Sequence, residues 1–229
     1  VTRPLWSILI ATHASRASRF TALIRELTVQ VQNWHDVTPP DAPPVELVGL
    51  YNWGGLPLGE YRQDLQDAAT GDYLSFFDDD DWPAPEFVYS AALAMISQRP
   101  EIVSFDVTYT EAGKPTMWEG CVLDITGGWH ETGAVMHRDL TVVQPLRADV
   151  ARLGRLDGGW PEDRAWRKQV LEAHPQDWTQ ARIPRPLYQY RHDWADSVEA
   201  GNLRLTQGLL DTPAPAIGSP WFRWIETAP

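Results

Sequence analysis

The 229-residue sequence predicts an α/β fold with a mixed, mostly parallel sheet flanked by helices. Three observations lead there. Short apolar runs of strand length alternate with helix-length segments through the first 105 positions, the runs read as buried strands, and two of them end in polar turns rich in chemistry-bearing side chains. In sheets of this kind ligands bind beyond the carboxyl ends of the strands.

Taken in order, Leu5–Ala11 reads as a buried strand that runs into the polar turn Thr12–Arg16. Phe20, Leu23, Ile24, Leu27 and Val31 then recur at helical spacing, with Ser18 placed as the cap. The proline-rich segment Thr38–Pro44 cannot continue a helix, and Val45–Tyr51 restarts as a strand. A second helix spans about Leu58 to Ala69, with Gly71 in the C-terminal cap position. Tyr73–Phe77 is the next strand, Pro85–Gln98 carries helical periodicity, and Ile102–Phe105 is a fourth strand. The second half is less regular. Thr108–Tyr109, Cys121–Leu123 and Ala134–Met136 read as short strands, 145–153 and 161–173 as helices with Pro161 in the first helical position, and Leu187–Tyr190 as a last strand. From Asp211 the chain is rich in Pro and Gly and reads as an extended arm. The predicted organisation is one domain over 1–210, built from halves 1–105 and 106–210, with 211–229 as a short C-terminal extension.

Composition narrows the class. With 43% hydrophobic and 11% aromatic residues the chain can bury a full core. A formal charge of -12, from 31 acidic against 19 basic residues, disfavours non-specific binding to nucleic acid or to an anionic membrane surface. The single cysteine, Cys121, excludes an internal disulfide and a cysteine-based zinc site, and makes the cytoplasm the natural compartment. No apolar stretch reaches the length of about 18 residues that a membrane span needs. Twelve tryptophans are unusual for this length; stacking on a sugar or a base is one use for them, and core packing the commoner one.

The most informative feature is the run Asp78–Asp81, placed between the apolar strand Tyr73–Phe77 and Trp82-Pro83. Carboxylates at short range raise one another's pKa and repel, so a cluster at the edge of a core points to a cation that offsets the repulsion. A solvated acidic turn is the competing reading.

Four segments together resemble the GT-A glycosyltransferases of family 2: Ser7–His13, Gly59–Gln63, Ala69–Asp81 and Pro161–Trp166. The resemblance covers residues 5 to about 193, and its most specific part is the third segment, where a small residue, Gly, an aromatic, a strand and Asp-X-Asp follow in order. It implies a GT-A, Rossmann-like fold whose 1–105 half binds a nucleotide-sugar donor, a UDP-sugar first among them, and a divalent cation, Mn2+ or Mg2+. Asp78 and Asp80 match the two acids of the motif, which implies that Asp78 contacts donor ribose or metal-bound water and that Asp80 ligates the metal. Asp79 holds the variable middle position on the donor side, and Asp81 is read as a helix cap or a supporting group. Thr12 and Arg16 are assigned to the donor. Arg62 matches a basic position that faces the diphosphate, although a solvated helix arginine explains it equally well. Where the family often has an acidic pair after its second strand, this chain has Tyr51-Asn52-Trp53-Gly54; Asn52 is left to read a base edge and Trp53 to stack.

The late pair Glu162-Asp163 matches the acids whose aspartate is the general base of inverting members, with Asp163 first and Glu162 second. Both also suit the positive end of a helix dipole irrespective of catalysis. Gly158-Gly159 and Trp160 before them suggest a mobile approach. His192 lies where related enzymes place a late metal or phosphate contact, whereas His130 and His137 are read first as ordinary structural histidines and second as acceptor-side groups.

The activity implied is transfer of a hexosyl or pentosyl group to a hydroxyl acceptor: a protein side chain, a small glycoside or a hydroxymethylated base in phage-type DNA, the last placing the enzyme in a host cytoplasm. Two alternatives stand beside it, a nucleotidyltransferase with the same acidic metal site and a non-catalytic cation-binding module. The first would release pyrophosphate rather than a nucleoside diphosphate, and the second would have no activity to lose.

Overall fold

The structure is a computed structural model that describes residues 3–13, 16–52, 57–111, 114–116, 123–124, 128–129, 140–156, 162–174, 178–192 and 218–225. Its spine is strand β1 (Trp6–His13), paired in parallel with β2 (Val45–Asn52) on one side and β3 (Tyr73–Phe76) on the other. Trp6, Ile8, Leu9 and Ile10 are all buried, so consecutive side chains on both faces of β1 are covered, which is why the strand reads as an unbroken apolar run. The register sets Thr12 beside Tyr51 and His13 beside Asn52, and Leu9 beside Phe76. The three strands therefore deliver the Thr12 turn, the end of β2 and the aspartate run to one edge of the sheet, as the sequence predicts.

Helix α1 (Ala17–Val37) covers the sheet with Phe20, Leu23, Ile24, Leu27, Val31 and Trp34. It stops where Thr38, the residue before Pro39, turns extended at φ -97 and ψ 155 and donates its hydroxyl to the Trp34 carbonyl. Ser18 lies inside this helix and caps nothing; Arg16 occupies the N-cap position without a side-chain cap bond. Helix α2 (Leu58–Ala68) ends at Ala69 in an extended conformation, so Gly71 is not its cap. The reason for a glycine there is crowding. A Cβ at Gly71 would come 2.7 Å from the Ser7 amide nitrogen, and the Gly71 N–H donates to Ser7 Oγ at 2.8 Å.

Beyond β3 the order continues through β4 (Trp82–Pro83), α3 (Phe87–Gln98), β5 (Ile102–Glu111), β6 (Lys114–Thr116) and a separate two-stranded pair, β7 (Leu123–Asp124) with β8 (Gly128–Trp129). Next come β9 (Leu146–Arg147), α4 (Ala148–Ala151), α5 (Glu162–Ala173), β10 (Gln180–His192) and β11 (Phe222–Trp224). In the main sheet the order is β11-β2-β1-β3-β9-β5-β10-β4, with β6 attached to β5. The expected helix over 145–153 is mostly absent. Leu146 is instead a strand residue that pairs antiparallel with both Leu74 and Ile102, joining the two halves of the sheet, and only Ala148–Ala151 is helical. The strand expected at 187–190 is the end of a much longer one, interrupted by register shifts at Pro186 that hid it from a periodicity reading. Strand β4 was not anticipated; it pairs antiparallel with Tyr188 and Gln189. The strand expected at Ala134–Met136 and the helix start at Pro161 fall outside the described residues.

Within the segment read as an extended arm, Phe222–Trp224 forms a parallel edge strand on β2. Trp224 stacks on Phe20 with ring centroids 5.0 Å apart, and Trp221 stacks on His35 at 3.9 Å. Gly49 admits the Phe222 and Trp224 rings, since a Cβ there would sit 2.6 Å from the first and 2.9 Å from the second. No helix among the described residues is long and apolar enough to cross a membrane.

Glu46 ties this edge together. Its carboxylate accepts from Ser7 Oγ at 2.6 Å, Thr70 Oγ1 at 2.9 Å and Arg223 Nε at 3.1 Å, joining β1, β2, the approach to β3 and β11. Burial alone would raise its pKa, but the bonds from Arg223, Ser7 and Thr70 and the charge of Arg223 hold it below the ordinary value of 4.5. A depressed native pKa contributes stability that is full above 4.5 and is lost as pH falls through the native value. Glu46→Gln is therefore expected to lower unfolding stability by about 1.5–3 kcal/mol at neutral pH. In denaturant titrations its deficit against wild type should shrink as the pH is taken below that of an ordinary carboxyl.

Candidate active site

The aspartate run begins where β3 ends, and its carboxylates go to three parts of the fold, Asp79 and Asp80 sharing one partner. Phe77 still donates its N–H to the Leu9 carbonyl at 2.8 Å, after which the Asp81 N–H closes a turn on the Asp78 carbonyl at 3.1 Å.

Asp79, the middle residue of the motif, is tied to the end of β1 and the start of α1. Its carboxylate accepts from Thr12 Oγ1 and from Arg16 Nη1, each at 2.7 Å, and only 5% of it is exposed. Burial pushes its pKa up to about 6, against the pull of the Arg16 guanidinium. Arg16 also reaches Asp80 Oδ2 at 3.0 Å, so one cation at the start of α1 spans two acids.

Asp78 is held from the other side. Arg62 of α2 is 4% exposed and donates from Nη2 to Asp78 Oδ1 at 2.6 Å and from Nη1 to Glu162 Oε1 at 2.7 Å, with its guanidinium 5.6 Å from the centre of the Phe76 ring. It is not a solvated helix arginine; it is a buried fork between two carboxylates 84 positions apart. Glu162 opens α5 and is 2% exposed, and Asp163 beside it is 6% exposed and accepts the Arg164 N–H at 2.8 Å.

Asp81 is not a helix cap. One of its oxygens accepts the Tyr188 hydroxyl and the other the Arg191 N–H at 2.7 Å, so it clamps the end of β10 to the acidic turn. Arg191 lies over Trp82 at 5.1 Å. This clamp sets the main chain of His192 one residue from the cluster; the His192 and Asn52 side chains, together with Trp53, His130, His137 and 157–161, lie outside what is described.

One carboxylate oxygen from each of Asp78, Asp80 and Asp81 falls within 4.8 Å of the others. Oxygen donors of this kind suit Mg2+ or Mn2+. Asp81 has both oxygens engaged by β10, whereas Asp78 and Asp80 keep 17% and 15% of their side chains exposed. The sequence therefore identified the residues of the cluster, while the Arg62–Glu162 bridge and the Tyr188 clamp, formed across 100 and 107 positions, carried no local signal.

Comparison with known proteins bears on this arrangement. Residues 58–135 match the family model for glycosyl transferase family 2. Comparison by sequence with curated proteins finds no match. Among solved structures, S. aureus TarS residues 1–349 are similar with a TM-score of 0.57 and 13% identity, over 81% of this chain and 60% of that one. The same protein in complex with UDP-GlcNAc gives a TM-score of 0.58 at 12% identity, over 82% of this chain and 58% of that one. The chain thus spans less than two thirds of the structures it matches. The shared architecture is the GT-A fold.

Removing the Arg62 charge would leave Asp78 and Glu162 facing each other. Arg62→Met is expected to cost about 3–5 kcal/mol of unfolding stability, the range for breaking a buried ion pair from one side. Arg25→Met, at an exposed position of α1, should cost within about 0.5 kcal/mol. Urea unfolding of both variants checks the contrast.

Proposed function

For a chain that carries the family 2 glycosyltransferase segment on a GT-A fold, we propose the activity of a metal-dependent, inverting glycosyltransferase that moves a sugar from a nucleoside diphosphate, a UDP-sugar first, to a hydroxyl acceptor. The observation that carries this reading is the junction of two acid groups. The cluster at the end of β3 is joined through Arg62 to the first turn of α5, so the donor-side acids and the Glu162-Asp163 pair share one site.

Asp78 and Asp80 are the residues that would hold the cation, with His192 beside them on the main chain of β10. A bound Mn2+ or Mg2+ stabilises the negative charge that develops on the departing diphosphate. Thr12 and Arg16 fix Asp79 and so shape the floor of the donor site, and Asn52, at the end of β2, is the residue assigned to the base. Asp163 takes the proton of the acceptor hydroxyl while that oxygen bonds to the anomeric carbon on the face opposite the diphosphate. The bond from that carbon to the diphosphate oxygen breaks, and the nucleoside diphosphate leaves with the electron pair. A protein hydroxyl or a small glycoside suits the acidic surface better than duplex DNA does, since phosphates would meet a net charge of -12. Cys121 as the one cysteine fits a cytoplasmic setting.

A thermal-shift screen of UDP-, GDP-, TDP- and CMP-sugars with Mn2+ and with Mg2+ tests the binding half. A donor at about 100 times its Kd stabilises the native state by about 2.7 kcal/mol, and the shift should require the metal. Asp80→Ala is expected to abolish it. Asp163→Asn should retain the shift yet lower the rate of nucleoside diphosphate release by about 10²–10⁴-fold. Pyrophosphate as the product, or no shift with any nucleotide under either metal, would contradict the proposal.

A further inference from the structure

A second face of the molecule lies apart from the acidic turn. Of the six exposed large apolar side chains among the described residues, four border one groove of about 400 Å3: Val37 at the end of α1, and Tyr89, Leu93 and Ile96 of α3. Pro39 and Pro43, in the loop after α1, line it as well. That loop enters β2 at Val45, the amino end of the strand, so this wall of the groove lies at the opposite edge of the sheet from the acidic turn. An isolated exposed apolar residue is ordinary, but a contiguous set marks a docking surface.

We infer that this face binds a second copy of the chain, with the α3 helices of the two protomers packed antiparallel about a twofold axis. Tyr89, Leu93 and Ile96 follow at i, i+4 and i+7, the spacing of one helix stripe. Glu86 and Arg99 bracket that stripe at the N-cap and C-cap positions, and neither side chain makes a hydrogen bond or ion pair among the described residues. The pair Tyr89 and Ile96 and the pair Glu86 and Arg99 share one midpoint, between Ala92 and Leu93. A twofold axis there brings the two Leu93 side chains together at the centre, sets Tyr89 of one protomer against Ile96 of the other, and places Glu86 by Arg99 at both ends. A contact of this symmetry requires a surface that complements itself. The α3 face does so in apolar pattern and in charge, whereas a parallel pairing would set Glu86 on Glu86 and Arg99 on Arg99. The groove between α3 and the end of α1 seats the ridge of the partner's helix. The formal charge of -12 opposes the approach of two copies, but that repulsion is screened beyond about 8 Å at physiological ionic strength, so the local pairs decide the contact.

Sedimentation velocity of the full chain at concentrations up to about 100 µM, a range that captures weak as well as stable dimers, tests the inference. Wild type is expected to dimerise within it. Leu93→Asp puts two like charges on the twofold axis and should raise the dimer Kd by about 30-fold or more, the size of a central hot spot. Leu153→Asp, at an exposed apolar position away from α3, should leave the Kd unchanged. Glu86→Arg and Arg99→Glu each set like charges together at both ends and should weaken the dimer about tenfold apiece. The double variant Glu86→Arg/Arg99→Glu restores opposite signs and should return to within about threefold of wild type. That rescue decides the matter even if the melting curve of Leu93→Asp shows that it does not fold. A wild type that stays monomeric throughout the range would overturn the inference and leave the groove to another occupant, such as an amphipathic helix of a different protein. A dimer that a folded Leu93→Asp leaves intact, or a double variant no tighter than the single ones, would overturn it as well.

Discussion

The structure turns on the confinement of negative charge at the end of β3. Five carboxylates, those of Asp78–Asp81 and Glu162, are gathered against two largely buried guanidiniums, Arg16 and Arg62, and are separated by being tied to different elements. Asp79 goes to β1 and the start of α1, Asp78 to α2 and through it to α5, and Asp81 to β10. A four-residue turn thus becomes the point where segments from the whole chain meet. Among the described residues these ties set five carboxylates against two guanidiniums, and a divalent cation suits such a set.

The edge of the sheet next to this site is closed by the carboxyl-terminal strand. β11 runs parallel to β2, and Trp224 packs on Phe20, one turn into the helix that Arg16 begins. An unpaired β2 would be a longer template for another chain, and the three-residue β11 leaves only a short edge in its place while bracing α1. The Glu46 network adds polar ties along the same edge.

Much of this was legible in the sequence, for identifiable reasons. β1, β2 and β3 are buried on both faces and so leave unbroken apolar runs, and their parallel pairing follows from the helices between them, which is enough to place Thr12 and the aspartates at one sheet edge. What escaped depends on pairing across distance. Asp79 was read as a variable position, yet it is among the most deeply buried acids because Thr12 and Arg16, more than 60 positions away, both donate to it. Leu146 looks helical in its local context and becomes a strand because β3 and β5 need one between them. Phe222–Trp224 sits in a proline- and glycine-rich context that hides a strand of three residues, and only the space above Gly49 explains it.

The central claim is that Asp78 and Asp80 hold a divalent cation together with the diphosphate of a nucleotide at the end of β3. A crystal structure of the protein with Mn2+ and UDP, with the ion located by its anomalous scattering, tests it most directly. The account predicts an anomalous peak within coordinating distance of a carboxylate oxygen of Asp80 and of the diphosphate, with the uridine lying toward Thr12 and Asn52. An ion bound away from the Asp78–Asp81 turn, or a UDP seated elsewhere with no ion at these acids, would contradict it.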